Sequence, residues 1–215
     1  MKLVSVNVGL PREAFWRGRK VLTSIWKAPV TGRVRAARTN LDGDRQADLA
    51  VHGGEDKAVY AYPSEHYVYW RRELPGIPLP WGAFGENFTT EGIFEDHLNI
   101  GDRLRVGTAE FVVTQPRMPC YKLAVRFSRD DMVKRFLASG TSGFYLSVAL
   151  SGEVGSGDAI QISARDGHNV TVSDIASLYT HDVENVGLVR RAVDVPALPE
   201  SWRDYLRKRL WEPDE

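Results

Sequence analysis

The 215-residue chain carries one cysteine, so it can form no internal disulfide, and nothing in its thiol content calls for an oxidising compartment. No apolar run approaches the roughly 20 residues that span a bilayer. The N-terminal stretch MKLVSVNVGLPREAFW lacks the long apolar region and small-residue cleavage site of a leader, and reads as a first strand. The cytoplasm is the expected location, with no membrane partner. An excess of charge of either sign is also missing. The 28 Lys and Arg residues balance 28 Asp and Glu, which leaves no global argument for binding nucleic acid or an anionic surface. Walker loops, a G-x-G-x-x-G opening a helix, C-x-x-C pairs and H-E-x-x-H are all absent. A Ser-His-Asp reading has no nucleophile elbow to stand on.

What is present is an ordinary apolar share of 43%, enough for a full core. Up to about residue 162 the texture is short β-type segments punctuated by Gly, Pro, Asn and Asp. Lys2–Val8 alternates with Val4, Val6 and Val8 on one face. Residues 21–26, 32–39, 58–62, 87–89, 103–106, 110–115, 145–150 and 159–163 continue the series, the pattern of a barrel or sandwich. Two helices interrupt it. Ser64 is expected to cap residues 65–73, and Ser128 to cap residues 129–138, with Gly140 just past the end.

Beyond residue 165 the pattern turns helical. Ser173 is placed as a cap for a helix through Tyr179, residues 185–191 form a second, and residues 201–210 a third with Trp202, Tyr205 and Leu206 at helical spacing. Three short helices cannot make a deep core alone, so they are expected to pack on the barrel or on a partner. The chain divides into a β domain over residues 1–164 and a small helical domain over 165–215.

Four segments carry groups capable of chemistry. Pro116 and Pro119 frame a rigid turn at the end of a strand, and this turn presents Cys120 between Arg117 and Lys122, cations that favour a thiolate. A thiolate is a nucleophile and a soft metal ligand, while a lone cysteine is also commonly a buried filler; the neighbours alone leave both open. The loop 41–62 is dense in polar groups: Asp44, Gln46, Asp48, His52, Asp56 and Lys57 around Gly53-Gly54. Asp48 and His52 stand four apart, as a metal pair or as a carboxylate orienting an imidazole. Lys57, with Arg33 and Arg35 on the preceding strand, is a candidate for holding a phosphate. Glu86 and Asn87, in a Gly-Glu-Asn turn, have groups to hydrogen-bond the edge of a heterocycle. Ser142, Gly143 and Tyr145 form the fourth group, which serves a site or only the fold.

Taken together, GDRQADLAVHGGEDKAVYAYP, GAFGENFTTEG and VTQPRMPCYKL resemble the MOSC domain, the module also found at the end of molybdenum cofactor sulfurases. With the helical tail, nearly the whole chain resembles the bacterial YiiM branch of that family. The resemblance implies a mainly β fold with some α, a MOSC-like β-barrel with a few helices followed by a small three-helix domain. It implies a molybdenum–pterin cofactor (the molybdenum cofactor) held by Cys120, and reduction of N-hydroxylated bases such as 6-hydroxylaminopurine, a detoxification. Under it Cys120 ligates the metal, and Arg117, Lys57 and Arg33 neutralise the cofactor's negative charge. Asp56, Glu86 and Asn87 contact the pterin edge. His52, with its near-neutral titration range, supplies the proton to the departing oxygen. No flavin, haem or iron–sulfur motif is present, so an external reductase must deliver electrons. The competing reading is a sulfur carrier in which Cys120 holds a persulfide for metal-sulfur cluster assembly. The natural substrate, the donor and the oligomeric state, a homodimer included, are left open by the sequence.

Overall fold

The structure, a computed structural model, describes residues 1–47, 53–181 and 185–211. The chain opens with β1 (Lys2–Val8), the hairpin β2 (Arg12–Trp16) and β3 (Arg19–Thr23), and three short strands, β4 (Ala28–Pro29), β5 (Arg33–Ala37) and β6 (Asn40–Leu41). Then come β7 (Val59–Pro63), α1 (His66–Glu73), β8 (Phe88–Glu91), β9 (Arg103–Val106) and β10 (Ala109–Pro116). The helices α2 (Tyr121–Phe127) and α3 (Met132–Ser139) lead into β11 (Phe144–Leu150), β12 (Gly152–Gly155) and β13 (Ile160–Ala164). The tail holds α4 (Val172–Thr180), α5 (Val186–Val193) and α6 (Glu200–Trp211).

Eight strands form one sheet in the order β13-β9-β10-β11-β7-β8-β1-β4. Its pairings are antiparallel except β7 with β8, which run parallel because α1 carries the chain across between them. The sheet curls until β1 meets the approach to β13. Leu3 N donates to Asp158 O at 2.9 Å, Gly157 N to Leu3 O at 2.8 Å and Ile160 N to Met1 O at 3.0 Å. These bonds, with the isolated bridge between Lys2 and Ala159, join β1 to the start of β13 and bring the two sides of the curled sheet together. A three-stranded sheet, β12-β5-β6, and the separate β2–β3 hairpin complete the β structure. The hairpin turns on Arg17 and Gly18, both at positive φ (48° and 74°), the backbone a two-residue turn requires.

Strand β7 separates two apolar layers through its period of two. Val59 and Ala61 point into the barrel with Leu3, Phe88, Phe111 and Leu146. Tyr60 and Tyr62 point the other way, into an aromatic layer with Tyr67, Trp70, Phe84 and Phe136. Gly143 sits against this strand at φ +64°; a Cβ there would stand 2.5 Å from Ala61 O, so only glycine lets β11 enter.

The tail shares the barrel's core. Val172, Ile175, Leu178, Leu188 and Leu206 belong to the same buried cluster as the strands, and Trp202 Nε1 donates to Gln115 Oε1 on β10 at 2.9 Å. Burying one such aliphatic side chain stabilises by about 1.5–3 kcal/mol, so the tail is held by the barrel.

Three sequence expectations shift. Ser64 does not cap α1, whose N-cap is Glu65 without a side-chain bond. Ser128 ends α2 in the left-handed region (φ 52°), so the expected helix 129–138 begins only at Met132. The helix α2 itself was hidden, because two prolines just before it made the segment look like a turn alone. Thr171, not Ser173, caps α4, through a capping box with Asp174.

Candidate active site

The turn after β10 ends at Cys120, which is extended (φ −121°, ψ 172°) and occupies the N-cap of α2. Pro119 disfavours helical backbone at Met118 and keeps the approach extended. The thiol is free and half-buried, in the wall of a cleft that also takes in residues 23–27, the loop near Asp44, Lys57, Tyr60, the 85–87 turn and Tyr145. Five separate stretches of sequence therefore converge on one cysteine.

Four cations line this cleft, Lys27, Lys57, Arg117 and Lys122, against a single carboxylate among the described lining residues, Asp44. Asp44 is 2% exposed and already committed. It accepts from Lys27 Nζ, from Gly9 N at 2.8 Å and from Asn87 Nδ2 at 2.9 Å. Burial lowers the pKa of the Lys27 ammonium, and Asp44 pulls it partly back. Arg117 is 6% exposed and its guanidinium lies 5.1 Å from the Tyr60 ring and 5.0 Å from the Phe136 ring. Burial raises the Tyr60 and Tyr145 hydroxyls above the usual phenol range, so both stay neutral and offer Arg117 no counter-charge. Arg117 Nη1 is buried without a hydrogen-bond partner, and so is Ser24 Oγ, which also lines the cleft. Native interiors satisfy nearly all such groups. The described lining thus brings together four cations, one committed carboxylate, two buried polar atoms without a hydrogen-bond partner and one thiol.

The sequence candidates divide. Cys120, Arg117, Lys57 and Asn87 meet in the cleft. Asn87 lines it with its amide in use: Oδ1 accepts from Tyr60 N at 3.1 Å and Nδ2 donates to Asp44 Oδ2, so the residue fixes the floor. Glu86 is corrected from ligand contact to internal strut. It is fully buried, and its carboxylate accepts from Gly82 N, Phe84 N, Thr89 Oγ1 and Tyr67 Oη. Asp56 is exposed and borders a different cavity, against Pro199 and Arg203 of the tail. Arg33 lies outside the cleft, its guanidinium bonded to Asp158 at 2.9 and 3.1 Å and to Glu153 O at 2.8 Å. Tyr145 lines the cleft, while Ser142 lines a neighbouring cavity. His52 and Asp48 lie outside the described residues. Lys27, Thr23 and Ser24 join the site without any motif to announce them; they arrive because the hairpin returns the chain to the cleft.

Fold and cleft define a mixed β and α protein, one large curled sheet with a helical tail, that carries a half-buried thiol in a cation-lined cleft. The MOSC domain family matches residues 48–161, and the YiiM-like, 3-alpha helix domain matches residues 170–211. The chain belongs to the MOSC family, in the branch that pairs this domain with the YiiM-like three-helix domain. It is 39% identical to the uncharacterized protein YflK of Bacillus subtilis (strain 168), over 96% of this chain and 93% of that one. The crystal structure of YiiM from Geobacillus stearothermophilus superposes with a TM-score of 0.81 at 37% identity, covering 97% of this chain and 98% of the other. A longer protein of Gibberella moniliformis (strain M3125 / FGSC 7600) named "Reductase" is 29% identical over 90% of this chain, which spans 35% of its length. Among the described residues no helix is long and apolar enough to cross a membrane.

Proposed function

We propose that the protein is a molybdenum-cofactor-dependent reductase of N-hydroxylated bases, with Cys120 as the metal's thiolate ligand. The observation that carries this is that Cys120 shares one cation-lined cleft with the orphaned Arg117 Nη1 and Ser24 Oγ. The residues fit such a group. A soft thiolate suits a transition metal, Arg117, Lys57 and Lys122 offset the negative charge of a dithiolene and a phosphate, and the Ser24 hydroxyl and Arg117 Nη1 gain the partners they lack. Among the described residues no set of three His, Cys, Asp or Glu gathers to hold an ion, so Cys120 is the described protein ligand in this reading. When bound, the cofactor supplies two-electron redox chemistry.

The protein's own groups bind, orient and exclude water. The Lys27–Asp44–Asn87 network fixes the cleft floor. In the overall reaction an N-hydroxylated base takes up two electrons and two protons and leaves as the amine and water. The electrons come from an external reductase, a reading that the name of the longer Gibberella relative supports. His52 is assigned the proton, on the near-neutral range of its imidazole. The test is analysis of protein made in a host that synthesises the cofactor. Stoichiometric molybdenum and pterin, with reduction of 6-hydroxylaminopurine by a chemical donor, are expected. A labile sulfur adduct with no molybdenum overturns the assignment in favour of a sulfur carrier.

A further inference from the structure

Among the described residues the β2–β3 hairpin is a two-stranded sheet of its own. Its register sorts the side chains into two faces. Arg12 pairs with Thr23, Ala14 with Val21 and Trp16 with Arg19. This face packs on the body of the protein: Thr23 is buried, and Ala14, Trp16 and Val21 are half-buried. Glu13 with Leu22 and Phe15 with Lys20 form the other face, where Phe15 is 71% and Leu22 51% exposed. A sheet with one face on the core normally turns polar groups to water on the other. Here two large apolar side chains stand in solvent instead.

The same ribbon is cationic in a chain whose charges cancel. Between Arg12 and Thr23 stand Arg12, Arg17, Arg19 and Lys20 against Glu13 alone. Lys20 bonds Glu13 at 2.9 Å and Arg17 bonds Asp130 at 2.9 Å, and both pairs are largely exposed. Such pairs contribute about 0–1 kcal/mol each and yield readily to another carboxylate. Burial, together with the charge of Arg12, lowers the pKa of Arg126 on α2, so the cationic surface continues from the hairpin onto that helix. The hairpin also leads to the thiol. Its return segment, Thr23, Ser24 and Ile25, is a wall of the Cys120 cleft, and Tyr121, next to Cys120 at the start of α2, is exposed.

We propose that the hairpin is the docking surface for an acidic electron-carrier protein, which seats on Phe15 and Leu22 and is held by Arg17, Arg19 and Lys20. The proposal rests on the reductase reading, which leaves electron delivery to an external protein. Like charge disfavours a second copy of this chain on the same face, and the exposed apolar pair favours a protein over a bare polyanion. Each N-hydroxylated base takes up two electrons and two protons. A carrier that releases one electron per visit is oxidised, leaves, and docks a second time, while the protons are drawn from solvent. A small, cation-steered patch suits so brief a contact, since redox encounters bury little area.

The probe is reduced flavodoxin, an acidic one-electron flavoprotein. Turnover of 6-hydroxylaminopurine by the full-length protein, prepared with its cofactor, is followed with this donor and separately with reduced methyl viologen. Flavodoxin binding is measured by calorimetry at low salt. The double substitution Arg19→Glu with Lys20→Glu is expected to lower both affinity and kcat/KM for flavodoxin at least about tenfold, and wild-type kcat/KM is expected to fall as salt rises. Phe15→Ser lowers them by a smaller factor. These variants keep the viologen turnover, molybdenum content and thermal midpoint of the wild type. Arg190→Glu with Arg191→Glu, exposed on α5, changes net charge equally and is expected to behave as wild type. Unchanged flavodoxin kinetics in the folded hairpin double variant overturn the proposal, and a dimer dissociated by that variant would then make the hairpin a contact between copies. An equal loss in the α5 variant overturns it too, as does a wild type served by viologen but not by flavodoxin. A wild type without molybdenum or viologen turnover, whose flavodoxin binding the hairpin double variant still weakens, defeats the cofactor reading and leaves the docking surface standing.

Discussion

Arg33 and Arg117 looked equivalent as candidates for neutralising a phosphate, and the fold separates them completely. Arg33 is exposed on the small sheet, where Asp158, Glu153 and a backbone carbonyl absorb its hydrogen bonds. Arg117 is buried between two aromatic rings, beside tyrosines held neutral by burial, with one nitrogen unbonded. A satisfied surface ion pair explains itself within the chain and contributes little, about 0–1 kcal/mol. A buried guanidinium nitrogen without an acceptor leaves room for one that the chain binds. The useful distinction is between cations whose hydrogen bonds are filled and cations whose bonds are not.

Replacing each member of the pair sharpens the contrast. Arg117→Met should give the larger effect, a loss of cofactor occupancy and of kcat/KM by about a hundredfold or more, as removal of a charged, desolvated contact does. Metal content and kinetics measured together check this, and wild-type occupancy in that variant would erase the comparison. Lys27→Met comes next, with a stability cost of about 3 kcal/mol, because it leaves Asp44 as a buried charge without its cation. Denaturant unfolding measures it. That ion pair also predicts a pH dependence of definite sign. Burial holds the Lys27 amine below the ordinary lysine value of 10.5, so over that window the unfolded chain binds the extra proton. Stability from this group therefore rises with pH up to 10.5, and the advantage of wild type over Lys27→Met should widen as pH is raised. A gap that narrows would contradict the assignment. Arg33→Met should be smallest, within about 1 kcal/mol of wild-type stability and with unaltered cofactor content; a loss of occupancy there would mean the two arginines were wrongly distinguished.

Much of the architecture was legible in the residues. Strand alternation from Lys2 onward marked the β domain, and the tail's three helices followed from apolar spacing, although Thr171 and not Ser173 caps the first. The α2 helix was hidden because Pro116 and Pro119 dominate the local signal, while Ser128 had two roles open to it and took the left-handed end of α2 over the start of α3. Of the candidate residues, Cys120, Arg117, Lys57 and Asn87 stand in dense polar blocks of the sequence, and the fold brings these four into one cleft. Lys27 and Ser24 were not, since their membership depends on a tertiary return of the β2–β3 hairpin to the cleft. Glu86 misled for the converse reason. A carboxylate next to Asn87 in a Gly-rich turn has the look of a ligand contact, and only the four donors around it reveal a strut.

Cys120 is the residue on which the proposed function depends, and replacing its sulfur by oxygen is the most direct trial. Cys120→Ser changes little in volume, so the barrel should fold and melt as in the wild type. Molybdenum per protein chain, measured by elemental analysis after preparation in a cofactor-competent host, should fall from near stoichiometric to background, together with turnover of the N-hydroxylated base. A folded Cys120→Ser protein that keeps its molybdenum would contradict the account.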